Sequence, residues 1–170
     1  MRAVVFDLDS ILIDGSQAEQ ARQERRWGDV YKMIPRLRPY EGITELLKRL
    51  SSRGVAVGVA TARPARYVEL VAKRWGWSFN ARVCFGDVPQ KKPSPEPLKA
   101  CLTKLGAAPQ DAVAVCADAA DVRAARAAGL YSIVAQWGTG PQDSVLEACP
   151  DHECATVADL RDELTRRFAL

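Results

Sequence analysis

The chain predicts an α/β domain whose mostly parallel sheet is covered by helices on both faces. Three observations carry this. Apolar, β-rich runs alternate with segments of helical period along the chain, as expected when strands are joined by crossover helices. Gly54, Gly76, Gly106 and Gly129 each follow a helical segment directly, where a left-handed cap sits. The residues with chemical capacity fall just after the strands, where an open parallel sheet binds its ligands.

Arg2 to Phe6, a β-branched and aromatic run, is the first strand. Ile43 to Arg53 reads as a helix closed by Gly54, and Val55 to Ala60 as the second strand. Thr61-Ala-Arg-Pro64 then opens a helix from Pro64 to Trp75, since a hydroxyl cap followed by proline is a common helix start. The third strand is Arg82 to Phe85, followed by a helix from Pro95 to Leu105. Ala112 to Cys116 is the fourth strand, Asp121 to Ala128 its helix and Tyr131 to Gln136 the fifth strand. A weak sixth strand at Glu153 to Thr156 precedes a last helix, Val157 to Phe168. With no internal repeat or low-complexity linker, residues 1–170 read as one domain carrying a short insertion at about 16–38.

At 170 residues and 48% hydrophobic composition the chain can bury a substantial core. Its net charge of +3 falls short of the basic stripe of a dedicated nucleic-acid binder. No apolar run is long enough for a membrane-spanning helix, and the N-terminus enters a strand pattern without a signal peptide, so a cytoplasmic protein is expected. The five cysteines are odd in number and scattered, which points to reduced thiols. Cys149-Pro-Asp-His-Glu-Cys154 lacks the four ligands of a closed zinc site and reads as a turn into the last short strand.

The first strand raises a chemical question, because VVFDLDSILIDG puts three aspartates behind a run that belongs in a core. A buried carboxylate costs several kcal/mol unless it is paired or holds a cation. Asp7 is placed to attack a phosphorus as a nucleophile, and Asp9, two residues on, to move a proton at the leaving oxygen or at water. Ser10 and the amides between Leu8 and Leu12 suit a nest for phosphate oxygens. Thr61 and Lys92 supply a hydroxyl and an ammonium for the remaining oxygens. Such clustered carboxylates facing a phosphate call for a divalent cation, and an all-oxygen site favours magnesium.

Asp7-Leu-Asp9 after a strand, Thr61 after the second, Lys92-Pro93-Ser-Pro-Glu-Pro97 and the acidic stretch before Val122-Arg-Ala-Ala-Arg-Ala-Ala-Gly129 follow one another in order. They resemble the four motifs of haloacid dehalogenase-like hydrolases, nearest to the phosphoglycolate phosphatase-like branch. The likeness covers nearly the whole chain outside Ser16 to Leu37 and extends to Gln136-Trp-Gly138 and Pro150-Asp-His152. It implies a three-layer Rossmann-like fold and a phosphatase acting on a small phosphorylated substrate through an aspartyl-phosphate intermediate. Asp7 is then the nucleophile and Asp9 the general acid and base. Ser10, Thr61, Ala62 and Lys92 would bind phosphate, with magnesium on Asp7, the Asp9 carbonyl and Asp118. Asp9 also favours phosphoryl chemistry over dehalogenation, since dehalogenating relatives typically lack that second acid.

Two departures from the family pattern open a second reading. Ser10-Ile11 stands where the family writes Gly-Thr, and Ala117 occupies the place of the metal-binding aspartate, with Asp118 one position later and Asp121 beyond. A catalytically weak or inactive relative that binds a ligand or partner fits these changes. Each residue also has a plain alternative. Thr61 suits a helix cap, Lys92 surface charge, and Asp118 and Asp121 caps of the helix near Ala119, while Asp14 and Asp87 read as turn and loop acids. The arginine-rich insertion reads as a solvated helix and loop, with a lid for anionic substrates as the functional alternative. It is too short to bury a core of its own, so substrate selection rests on loops, on this lid or on a second subunit.

Overall fold

The computed structural model describes residues 1–139 and 142–170. In chain order the strands are β1 (Ala3–Phe6), β2 (Ile13–Asp14), β3 (Arg38–Pro39), β4 (Ala56–Ala60), β5 (Ala81–Val83), β6 (Ala112–Cys116), β7 (Tyr131–Ala135) and β8 (His152–Cys154). Six of them form a parallel sheet in the order β5-β4-β1-β6-β7-β8, while β2 and β3 pair antiparallel as a separate ribbon. The helices are α1 (Glu19–Gln23), α2 (Trp27–Met33), α3 (Ile43–Ser52), α4 (Ala65–Trp75), α5 (Glu96–Leu105), α6 (Ala119–Ala128), α7 (Asp143–Glu147) and α8 (Val157–Phe168).

Both faces of the sheet are buried, which is why its strands read as unbroken apolar runs. Val4 and Phe6 pack with the inner stripes of α3, α4 and α8, whereas Ala3 and Val5 pack with those of α5 and α6. Chain order reverses at β1, with β4 on one side and β6 on the other. The carboxyl end of β1 is therefore the crevice where such sheets hold ligands. Gly58 in β4 lets α5 approach closely: a Cβ there would lie 2.6 Å from Cys101 Sγ and 3.0 Å from a Leu105 methyl.

The boundaries differ from expectation where side chains capture the backbone. β5 stops at Val83, short of Phe85, because Cys84 enters a turn in which its carbonyl accepts from Asp87 N–H at 3.1 Å and its N–H donates to the Asp87 carboxylate at 2.9 Å. β8 covers 152–154, since Thr156 instead caps α8 in a reciprocal pair with Asp159. α6 starts at Ala119, two residues early, because Asp118 caps it. The short helix α7 was not foreseen, nor was α2. Cys149 lies exposed in the turn before β8, and all five cysteines are free thiols. Among the described residues no helix is long and apolar enough to cross a membrane.

The insertion is helical, as a solvated helix and loop would be, but it is not solvated on all sides. Its cations Arg25, Arg26, Lys32, Arg36 and Arg38 are exposed. Its inner face is not: Ala18, Ala21, Val30, Ile34 and Leu37 join the cluster that holds Phe6 and α4, and the Trp27 ring lies 6.0 Å from that of Tyr67. Arg22 is buried too, at 6% exposure.

Gly58→Ala is expected to lower unfolding free energy by about 1–3 kcal/mol, the usual cost of overpacking. Urea unfolding measures it, and an unchanged midpoint would show that α5 retreats without cost.

Candidate active site

Asp7 follows β1 directly, with its side chain 20% exposed. Its carboxylate accepts from Lys92 Nζ at 3.3 Å and from the Thr61 hydroxyl. Burial pushes Asp7 up to about 6; Lys92 opposes this, and the carboxylates of Asp121 and Asp9 add to it. Thr61 follows β4, anchored by a 2.9 Å bond from its N–H to Val83 O. Its hydroxyl does not cap α4, whose N-cap is Pro64.

Lys92 reaches the same spot from the segment before α5. Besides Asp7 it bonds Ala60 O at 3.0 Å and pairs with Asp121 Oδ1 at 2.5 Å. Burial works against its charge, but Asp121 and Asp7 outweigh this and hold the ammonium well above its ordinary value. Asp121 is committed on both oxygens, since Oδ2 accepts from Ala117 N–H at 2.8 Å. Asp118 caps α6 by accepting from Asp121 N–H at 2.9 Å, and burial and the Asp121 carboxylate raise its pKa. Both acids near Ala119 thus do helix-terminus work, and both also face the cavity.

That cavity, about 580 Å³, brings together Asp7, Thr61, Ala62, Lys92 and Asp118. Asp9 and Ser10 do not line it. The Asp9 side chain is 7% exposed: Oδ1 accepts from Arg22 Nη1 at 3.1 Å and Tyr67 OH at 2.8 Å, and Oδ2 from Arg63 Nε at 2.5 Å. Ser10 has a left-handed φ of 65°. Its N–H donates to Ile13 O at 3.0 Å and that of Leu12 to Leu8 O at 2.9 Å, so the turn itself uses two of the amides expected to cradle phosphate. A second cavity of about 630 Å³, between α3 and α8 against Trp137, holds none of the predicted residues.

The donor set fits a hard cation. Asp7 and Asp118 share the cavity as oxygen donors raised by burial and like charge, and Asp7, Asp118 and Asp121 together exceed what Lys92 neutralises. Among the described residues no three His, Cys, Asp or Glu side chains gather as a metal cluster. The cause is visible: Asp9 turns to Arg22, Arg63 and Tyr67, and Ala117 has no carboxylate.

Sequence reasoning missed Arg22 and Tyr67 and gave Arg63 no role. Arg63 lies in the loop before α4 and Tyr67 in its first turn, so helical periodicity does not link the two. Arg22 carried no signal beyond its small neighbours Ala18 and Ala21.

The chain is similar in sequence and fold to known proteins. A phosphoglycolate phosphatase of Xylella fastidiosa is 35% identical over 140 residues, 80% of this chain and 58% of its own length. An N-acetylmuramic acid 6-phosphate phosphatase of Pseudomonas aeruginosa is 32% identical over 148 residues, 84% of this chain and 65% of its own. The chain thus spans about 58–65% of these relatives' length. A putative beta-phosphoglucomutase structure from Thermotoga maritima shares the fold at a TM-score of 0.81 and 20% identity, covering 98% of this chain and 99% of that one. The model of the haloacid dehalogenase-like hydrolases matches residues 15–135, and to that family this chain belongs.

Proposed function

We propose that the chain is a magnesium-dependent phosphatase that hydrolyses a small phosphomonoester through an aspartyl phosphate on Asp7. The observation that carries this reading is the meeting of Asp7, Thr61 and Lys92 around one cavity. Asp7 forms the new O–P bond as the bond to the leaving oxygen breaks, and Asp9 gives that oxygen a proton. Water then attacks the phosphorus, Asp9 takes its proton back from the water, and Asp7 departs with inorganic phosphate left behind. Thr61, the Ala62 amide and Lys92 hold the remaining phosphate oxygens. Asp7, the Asp9 carbonyl and Asp118 would hold magnesium, which when bound offsets repulsion between carboxylate and phosphate.

Asp9 performs this work only after exchanging its present partners. Arg63 both binds Asp9 and lines the cavity, so an entering phosphate competes for it. A cytoplasmic setting belongs to the same reading, as does selection of substrate by loops or a second subunit rather than by a full cap. The three donors on Asp9 and the alanine at position 117 favour a second reading, a weak or inactive relative that binds its ligand without turnover. A panel of phosphate esters assayed with magnesium and with chelator separates the two.

Asp7→Asn is expected to cut turnover by about a thousandfold or more without lowering the thermal midpoint, because one of several clustered carboxylates is removed. Equal activity would exclude Asp7 as nucleophile.

The raised Asp7 has a signed consequence for stability. The native chain keeps a proton up to about pH 6 that the unfolded chain releases near its ordinary 3.8. In chelator, stability therefore falls as pH rises through that window, and Asp7→Asn removes this part of the fall. Parallel pH profiles for the two proteins would contradict the assignment.

Asp118→Ala is expected to raise the magnesium concentration for half-maximal activity about tenfold or more. Asp121→Ala should instead cost about 3 kcal/mol of stability, since it leaves Lys92 with one fewer buried counter-charge. Magnesium titration and urea unfolding of both variants distinguish these effects; a larger magnesium shift for Asp121→Ala would move the metal site to that acid.

A further inference from the structure

The cavity at Asp7 has one wall that phosphate chemistry does not use. It is made by the turn after β5, and at its tip Phe85 is 70% exposed. Among the described residues, the exposed large apolar side chains are Met1, Phe85 and Leu146, and of these Phe85 alone lines either large cavity. Scattered exposed apolar residues need no explanation, but this one is held in place by its surroundings. The Asp87 N–H to Cys84 O bond closes a four-residue turn with Phe85 and Gly86 at its centre, and Gly86 has the positive φ, 89°, that such a turn requires. Asp87 binds back to Cys84 N–H, and Phe85 N–H donates to Arg63 O at 2.9 Å. The backbone that carries the ring is thus held at the cavity edge by three hydrogen bonds.

Val88 and Pro89 continue the apolar wall, and Arg63 adds a guanidinium beside it. The insertion is packed against the core through its apolar face and α4, and no residue from it lines the cavity. Within the described chain, this rim is the apolar surface that the part of the substrate beyond the phosphate can meet.

We infer that Phe85 selects phosphomonoesters whose leaving group carries an aromatic ring, which stacks on the exposed face of Phe85 while the phosphate lies toward Asp7. This deepens the phosphatase reading and rests on it for the position of the phosphate. A held backbone and a side chain with only two rotatable bonds leave little to order on binding, which is why aromatic anchors are effective contacts.

The test compares ligands that differ only in aromaticity. Benzylphosphonate and cyclohexylmethylphosphonate are titrated into the full chain with magnesium by calorimetry, and the matching phosphate esters are assayed for hydrolysis. Wild type is expected to bind the benzyl compound roughly three- to tenfold more tightly, the range of a single aromatic contact. Phe85→Ala should abolish that preference, and Phe85→Tyr should restore it. Phe85→Leu should leave most of it lost, and the thermal midpoint should stay near wild type in all three variants. Equal affinity of wild type for the two phosphonates, or an unchanged preference in Phe85→Ala, overturns the inference whatever the activity. A preference in binding that depends on Phe85, with neither ester hydrolysed, upholds the recognition and instead overturns the phosphatase reading.

Discussion

The arrangement rests on the burial of the Asp9 carboxylate. A carboxylate at this depth stays charged only if partners replace the water it has lost, and here they come from three places in the chain. Arg22 belongs to α1 in the insertion, Arg63 to the loop after β4 and Tyr67 to α4. Arg22 divides its guanidinium between Asp9 and Glu19, so the insertion brings a charge pair of its own. The chain threads past this group at Gly15, where a Cβ would stand 2.1 Å from Arg22 Nη1 and 2.6 Å from Asp9 Oδ1. A side chain at Gly15 and the Asp9–Arg22 contact exclude each other. The position of the insertion is in this sense a consequence of where the second aspartate of the first motif lies.

The same contact divides two acids that are neighbours in sequence. Asp7 faces the cavity and Asp9 is drawn behind it toward α1 and α4. The departures next to them fit this turn of the chain. Ser10 takes a left-handed φ that glycine reaches without penalty, and Ile11 is fully buried where the family has a threonine. The Ile11 carbonyl accepts from Trp137 Nε1 at 3.0 Å, and a Cβ on Gly138 would collide with the Ser10 backbone at 2.1 Å. The loop after β7 therefore packs directly against the first-motif turn. A hydroxyl has been exchanged for packing, and the glycine's freedom for mild backbone strain.

What was legible in the sequence was whatever depends on local pattern. The six sheet strands and five longer helices follow from apolar runs, period and glycine stops, because burial on both faces leaves that imprint directly. Asp7, Thr61 and Asp118 were legible for a related reason: each directly follows a strand or opens a helix, whereas Lys92, between β5 and α5, was legible from the Lys92-Pro93 motif. The rest depended on contacts distant in sequence. Arg22 is an arginine among arginines, and nothing in its neighbourhood says that it alone turns inward. Asp9 was read as a second group at the reaction centre because alternation puts residues two apart on one face; the turn from Leu8 to Ile13 breaks that alternation. The insertion was judged by its charge, although its short apolar positions decide its place.

The balance of charge links these features to chemistry. Asp9 has two guanidiniums for one carboxylate, with Glu19 compensating. On the cavity side, Asp7 and Asp121 share the ammonium of Lys92, while Lys91 and Arg63 also line the cavity, Arg63 being paired with Asp9. Burial raises Asp7 and Asp118, and the neighbouring carboxylate of Asp121 adds to both. Like charges a few ångströms apart in a partly dry site repel by kcal/mol rather than tenths. Asp121 is retained by its bonds to Lys92 and Ala117 N–H, and Asp118 by the helix it caps. Asp7 has no such structural duty, since its partners Lys92 and Thr61 are themselves site residues. The acid that is hardest to explain as architecture is therefore the one on which the phosphoryl reading depends.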